Sequence, residues 1–159
     1  MITEKIKANS TIKHNFILLD TALQNCGLEP ILENEFFNIT PGFNEEFWLG
    51  VELKKPNAIS IWFLIQSDIS IALDGSSEIV LVDQKELKSK KIKNLFEIFL
   101  KSYIEIRYYG NEKLKEFYFF DKNKNLAKEY FRSTTLLPNF LIKILYKPKI
   151  KYFKPIVLG

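Results

Sequence analysis

From residue 47 onward the apolar residues of this chain fall at every second position, in several short consecutive runs. A period of two restricts the fold to one built on β-sheet. Phe47, Leu49, Val51 and Leu53 alternate with Trp48, Gly50 and Glu52, which predicts a half-buried strand. Lys55-Pro56-Asn57 punctuates it. Residues 58–66 follow, apolar on both faces, with Ile59, Ile61, Phe63 and Ile65 against Trp62 and Leu64. Such a segment is expected at the centre of the sheet, covered by helices. Ile69, Ile71 and Leu73 lead through Asp74-Gly75-Ser76-Ser77 into residues 79–82, and Asp-Gly supplies the positive φ angles of a tight hairpin turn. Residues 103–109 and 114–120 form a second predicted hairpin around Gly110-Asn111, and residues 31–38 are a further candidate strand.

Two segments carry helical spacing instead. Ile12, Phe16, Leu19, Leu23 and Cys26 recur at steps of four and three, with Ser10 or Thr11 as the expected cap and Gly27 as the residue that ends the helix. Asp83-Gln84-Lys85-Glu86 matches a capping box and predicts a helix to about residue 102, with Ile92, Leu95, Phe96 and Phe99 as its buried stripe. Lys88, Lys90, Lys91 and Lys93 crowd its first turns, where positive charge opposes the macrodipole. Residues 123–131 read as a short helix or an extended segment, and Pro138 favours a helical start within 136–146. The expectation is an α+β fold: a single domain, 1–159, mainly antiparallel β-sheet with an N-terminal helix and a central helix packed on it. Residues 146–159 are expected as an extended C-terminal tail.

Composition narrows the chemistry. The chain has 159 residues, 47% of them hydrophobic, enough for one core. No apolar run approaches the roughly 20 residues that span a bilayer, and Met1–Ser10 lacks a signal-like apolar region, so a cytoplasmic protein with no membrane partner is expected. Cys26 and His14 are each the sole residue of their type, which excludes an internal disulfide and a thiolate zinc site. On one helix the two would stand roughly 18 Å apart, too far for a dyad. The six glycines are scattered singly, and no phosphate loop, nucleophile elbow or zincin motif occurs. No catalytic residue, metal site or cofactor is therefore expected. Glu33 and Glu35 fall on one face of the candidate strand at roughly 6–7 Å, the kind of pair a glycosidase uses across a cleft. A solvated strand face produces the same pattern.

Charge is the remaining signal. Only Arg107 and Arg132 interrupt a cationic set made otherwise of lysine. Residues 1–83 hold five lysines against twelve acidic residues, a net −7, whereas residues 84–159 reach +11. The two halves either mix over one surface or form opposed ones. Arg107-Tyr108-Tyr109 with Lys113, Lys115, Tyr118, Phe119 and Phe120 suits base stacking along a phosphate chain. It suits equally a strand pair whose aromatics fill the core, and the second is favoured, so nucleic acid is not the expected partner. A rigid scaffold with opposed charges and no reactive constellation fits a binding protein.

In general character this is a small α+β chain with the Lys, Ile and Asn bias of an AT-rich bacterial genome, helix first and antiparallel sheet after. In that it resembles the immunity proteins of bacterial polymorphic-toxin and contact-dependent-inhibition systems. The resemblance implies neutralisation of a cognate protein toxin by direct binding. Many such toxins are basic nucleases, so the acidic half is the expected contact. Glu33, Glu35, Glu45, Glu46 and the neighbouring Trp48 are the candidate partner-binding residues, an aromatic anchor beside charge. A nucleic-acid binder using the basic half, or a small enzyme with a carboxylate or lysine site, are the alternatives. Oligomeric state stays open.

Overall fold

The computed structural model describes residues 4, 6, 9–43, 46–76, 78–83 and 85–158, and these form an α+β arrangement. All strand pairing is antiparallel, but the strands make two sheets instead of one: a five-stranded meander and a four-stranded sheet. The chain divides into two compact units, Met1–Glu97 and Ile98–Gly159, with one sheet in each.

In the first unit, α1 (Ser10–Gln24) buries Ile12, Phe16, Leu19 and Leu23, as its spacing predicts. Its cap is Asn9, whose Oδ1 accepts from the Ile12 N–H at 3.0 Å, one residue ahead of the expected Ser10. Gly27 ends the helix at φ +97°, and the Gly27 and Leu28 N–H groups donate to the Gln24 and Leu23 carbonyls. That double closure needs a left-handed residue, which glycine adopts at no steric cost.

Residues 31–36 are not a strand. Asp20 accepts from the Ile31 N–H at 2.8 Å, the Glu33 and Asn34 N–H groups donate to the Pro30 carbonyl, and Asn34 accepts from the Phe36 N–H. Local Asn and Asp acceptors offer the backbone a turn in place of a ladder. The first strand, β1 (Phe37–Phe43), starts afterwards and holds Pro41, which an edge strand tolerates.

β2 (Phe47–Leu53), β3 (Ile61–Ile65), β4 (Ile69–Leu73) and β5 (Val80–Val82) follow in spatial order. Their register stacks Leu49 on Ile65, Val51 on Phe63 and Phe63 on Ile71, all at most 1% exposed. Phe63 meets Phe96 edge-on at 6.0 Å, and Asn15 of α1 donates to the Gln66 and Ser67 carbonyls at 2.8 and 3.1 Å. The β4–β5 turn has Asp74 and Gly75 at φ +50° and +66°, the pair of positive angles that Asp-Gly predicts.

Asp83 accepts from the Glu86 N–H at 2.8 Å as the capping pattern requires, yet it opens only a short 3-10 turn, Glu86–Lys88. Ser89 then accepts from the Ile92 N–H, and the true helix is α2 (Lys90–Lys101).

The second unit is built on β6 (Tyr103–Tyr109), β7 (Leu114–Phe120), β8 (Leu126–Ser133) and β9 (Lys149–Phe153), in the order β8-β7-β6-β9. The β6–β7 turn carries positive φ at Gly110, Asn111 and Glu112. Ile104, Ile106, Phe117 and Phe119 bury one face, where Phe99, Phe119 and Tyr130 pack as a ring cluster with centroids 5.3–6.1 Å apart. α3 (Asn139–Leu145) begins directly after Pro138 and seats Ile142 on Tyr109 and Leu114. The segment expected as an extended tail supplies β9, paired along β6, and beyond it Ile156 and Val157 donate to the Leu100 carbonyl. Among the described residues no helix is long and apolar enough to cross a membrane.

Candidate partner-binding surface

The charge asymmetry follows the two units. The first carries ten lysines against fourteen acidic residues, net −4, and the second thirteen cations against five, net +8.

The five-stranded sheet buries one face against α1 and Phe96; its other face is partly exposed, with Trp48, Glu52, Trp62, Ser70 and Ala72 half-buried. Cross-strand register places Trp48 opposite Gly42, Gly50 opposite Leu64, Glu52 opposite Trp62, and Trp62 opposite Ala72. The Trp48 indole lies directly on Gly42: a Cβ at Gly42 would fall 1.9 Å from Trp48 Cζ2, so only glycine permits this seat. At Gly50 a Cβ would stand 3.4 Å from Trp48 Cζ3 and 3.6 Å from Trp62 Cζ3, so the two indoles converge over a bare stretch of backbone. Beyond Trp62 a cavity of about 370 Å³ is lined by Leu64, Ser70, Ala72, Gly75 and Glu78. Leu64 and Leu81 are 37% and 55% exposed. Two carboxylates edge this apolar floor: Glu52 accepts from Ser60 Oγ at 2.8 Å, and Glu78 accepts from the Ser70 hydroxyl.

Of the residues singled out from sequence, Trp48 lies on this face, near the β1–β2 turn. Glu46 is exposed two positions before it, and Glu45 lies outside the described residues. Glu33 and Glu35 are exposed but sit in the turns ahead of β1, not on a shared strand face. Phe37 pairs with Leu53, at the far end of β2 from Trp48, about 17 Å away by strand rise. The structure therefore does not bring Glu33 and Glu35 to the tryptophan. Trp62, Gly42 and Gly50 were not singled out. The signal for Trp62 was present in the two-sided apolarity of residues 58–66: the surplus face, Trp62 and Leu64, is left partly exposed instead of being covered. Cys26 is buried, its Sγ 4.0 Å from the Lys93 carbonyl, and His14 is exposed on α1. Among the described residues no group of three His, Cys, Asp or Glu side chains is placed to hold a metal ion.

The strongest electrostatic feature lies in the second unit. Glu116 is 6% exposed, and its Oε2 accepts from Tyr118 Oη at 2.9 Å and Tyr109 Oη at 3.2 Å. Lys143 of α3 pairs with Oε1, so a buried carboxylate is fully matched and ties the helix to the sheet. Burial, then donation to Glu116, pushes the Tyr118 phenol up to about 12; burial, then the Glu116 charge, raises that of Tyr109. Arg107, raised by its 2.6 Å bond to Glu105, lies 4.5 Å over the Tyr118 ring. The two phenols and Lys143 together hold this carboxylate and lock α3 to the sheet.

No family model, curated protein or solved structure matches the chain.

Proposed function

We propose that the chain is a non-enzymatic binding protein that takes a basic protein partner on the Trp48–Trp62 face of its acidic unit, as an immunity protein neutralises a cognate bacterial toxin by direct contact. The observation that carries this reading is the pair of indoles converging over Gly50, on a sheet face that neither α1 nor Phe96 covers. Tryptophan beside small residues is the composition of an interface hot spot: large area, little rotamer entropy to lose, and a floor into which a partner side chain can descend. The net charge of −4 on this unit favours association with a basic surface and speeds encounter. Glu52 and Glu78, each already held by a serine hydroxyl, are preorganised acceptors at the rim.

The test is co-expression with the products of the neighbouring genes, followed by growth rescue and calorimetric titration. Trp48→Ala and Trp62→Ala are each expected to weaken binding by about thirtyfold or more, the scale of a hot spot of about 2 kcal/mol. Gly42→Ala evicts the Trp48 indole without touching any charge and should weaken binding in the same direction. Unchanged affinity in both tryptophan variants, or no binding to any neighbouring gene product, would remove this reading.

A further inference from the structure

The four-stranded sheet also has an uncovered region, at the end remote from α3. Tyr103 and Phe120 are directly opposed on β6 and β7, and Tyr152 of β9 pairs with Glu105, one pleat along from Tyr103. Three rings thus occupy three adjacent strands on one face, spanning about 10 Å. Tyr103 is 47% and Tyr152 73% exposed. Together they border a cavity of about 510 Å³, with Lys122 and Lys124 on its wall.

These rings differ from the other tyrosines of the sheet. Tyr109 and Tyr118 are consumed by Glu116, and Tyr108 lies under Lys115 and Lys151 on the opposite face. The Tyr103 and Tyr152 side chains have no hydrogen-bond or ring partner among the described residues, and Lys122 and Lys124 make no ion pair within 4.0 Å there, although the Lys122 charge acts on Asp121. The two carboxylates on the wall are engaged internally: Glu105 by Arg107, and Asp121 by the Asn123 and Asn125 amides. What remains outward is flat aromatic area beside two amines, in a unit of net charge +8.

We propose that this end of the sheet binds nucleotides of single-stranded nucleic acid, stacking bases on Tyr103, Phe120 and Tyr152 while Lys122 and Lys124 hold the backbone phosphates. Exposed tyrosine on a strand face offers a flat stacking platform to any base. A basic unit supplies the attraction for phosphate that an acidic protein partner would compete for. The inference is independent of the toxin-binding reading: it uses the other unit, and Trp48→Ala leaves it untouched.

Fluorescence anisotropy with fluorescein-labelled ten-nucleotide oligouridylate and oligothymidylate tests it, with unlabelled UMP as competitor. Two phosphate contacts predict about sevenfold weaker binding on going from 50 to 200 mM salt. Tyr152→Ala and Tyr103→Ala should each weaken binding by about five- to a hundredfold, whereas Tyr152→Phe keeps the ring and the affinity. Lys122→Glu combined with Lys124→Glu should weaken binding and flatten the salt slope. Competition by UMP that vanishes in Tyr152→Ala supports the same stacking with free nucleotide as the source; competition only by oligomers supports a strand. Tyr152 is so exposed that its truncation spares the core, and unchanged thermal melting checks this. No binding of either oligomer at 50 mM salt, wild-type affinity in both alanine variants, or displacement by polyglutamate as effective as by oligonucleotide would overturn the proposal.

Discussion

The two sheets treat their second faces in opposite ways. In the first unit one face is apolar and largely buried, with Phe43 exposed at its edge, and the other is left with two indoles over glycine and a cavity beside them. In the second unit the corresponding face is divided: one end is closed by α3 over a buried carboxylate with three partners, and the other end is open and aromatic. The contrast shows what separates a structural aromatic from an available one. Composition does not, because both sheets are aromatic-rich. The partner does: Tyr118 is committed to Glu116, while the half-buried Trp48 and Trp62 lie against Gly42 and Gly50 with no hydrogen bond or ring pair holding them among the described residues.

The two buried faces provide the sharpest way to break that comparison. Phe63 is fully buried between strands and packs edge-on against Phe96, so Phe63→Ala leaves a cavity that rigid strands cannot close. It should cost about 3–5 kcal/mol in urea unfolding. A loss below about 1 kcal/mol, within the range of surface substitutions, would mean that this face is not a packed core.

Next in size is the charged lock. Glu116→Ala strands the Tyr109 hydroxyl but frees Lys143, which is already 44% exposed and can return to water. The expected cost is therefore about 1–3 kcal/mol, the penalty of an unsatisfied buried donor and not of an orphaned buried ion. Because Lys143 anchors α3, the variant should also raise hydrogen exchange selectively across residues 139–145. Loss of protection spread evenly through the chain would argue that the second unit has no separate lock.

Much of the element pattern was legible in the residues, and the exceptions have local causes. β2, β3, the Asp74-Gly75 hairpin and the 103–120 hairpin follow from period two and turn chemistry, because side chains on one strand settle which face is wet. Residues 31–36 read as strand because the apolar period changes after Pro30, but Ile-Leu-Glu-Asn-Glu-Phe does not itself alternate, and Pro30, Asn34 and Asp20 satisfy its backbone locally. β9 was hidden because Lys149 and Lys151 alternate with Ile150 and Tyr152 in a segment flanked by prolines, the signature of an edge strand as much as of a tail. Trp48 was visible as a candidate anchor, yet its seat on Gly42 depends on strand register, which two segments joined through residues 44–46 do not reveal by pattern alone. Glu33 and Glu35 stand near Trp48 along the chain, yet the turn before β1 carries them to the opposite end of β2 from it.

The smallest effect tests the lock from the proton side. Unfolded, the Tyr118 phenol loses its proton near pH 10; folded, burial and donation to Glu116 hold it to about 12. The folded state thus keeps a proton that the unfolded state gives up. The resulting stabilisation is complete below pH 10 and is lost as pH rises from there through about 12. Tyr118→Phe has no proton to keep, so its stability should fall less steeply than that of the parent between pH 10 and 11.5 in matched urea titrations, although both curves decline as lysines deprotonate. No comparable difference is expected for Trp48→Ala or Trp62→Ala, because no ionisable hydrogen bond holds either indole. If the Tyr118→Phe and parent curves ran parallel, the phenol would be solvated and Glu116 would be held by Lys143 and Tyr109 alone, bringing the second unit's closed end nearer in character to the open face of the first.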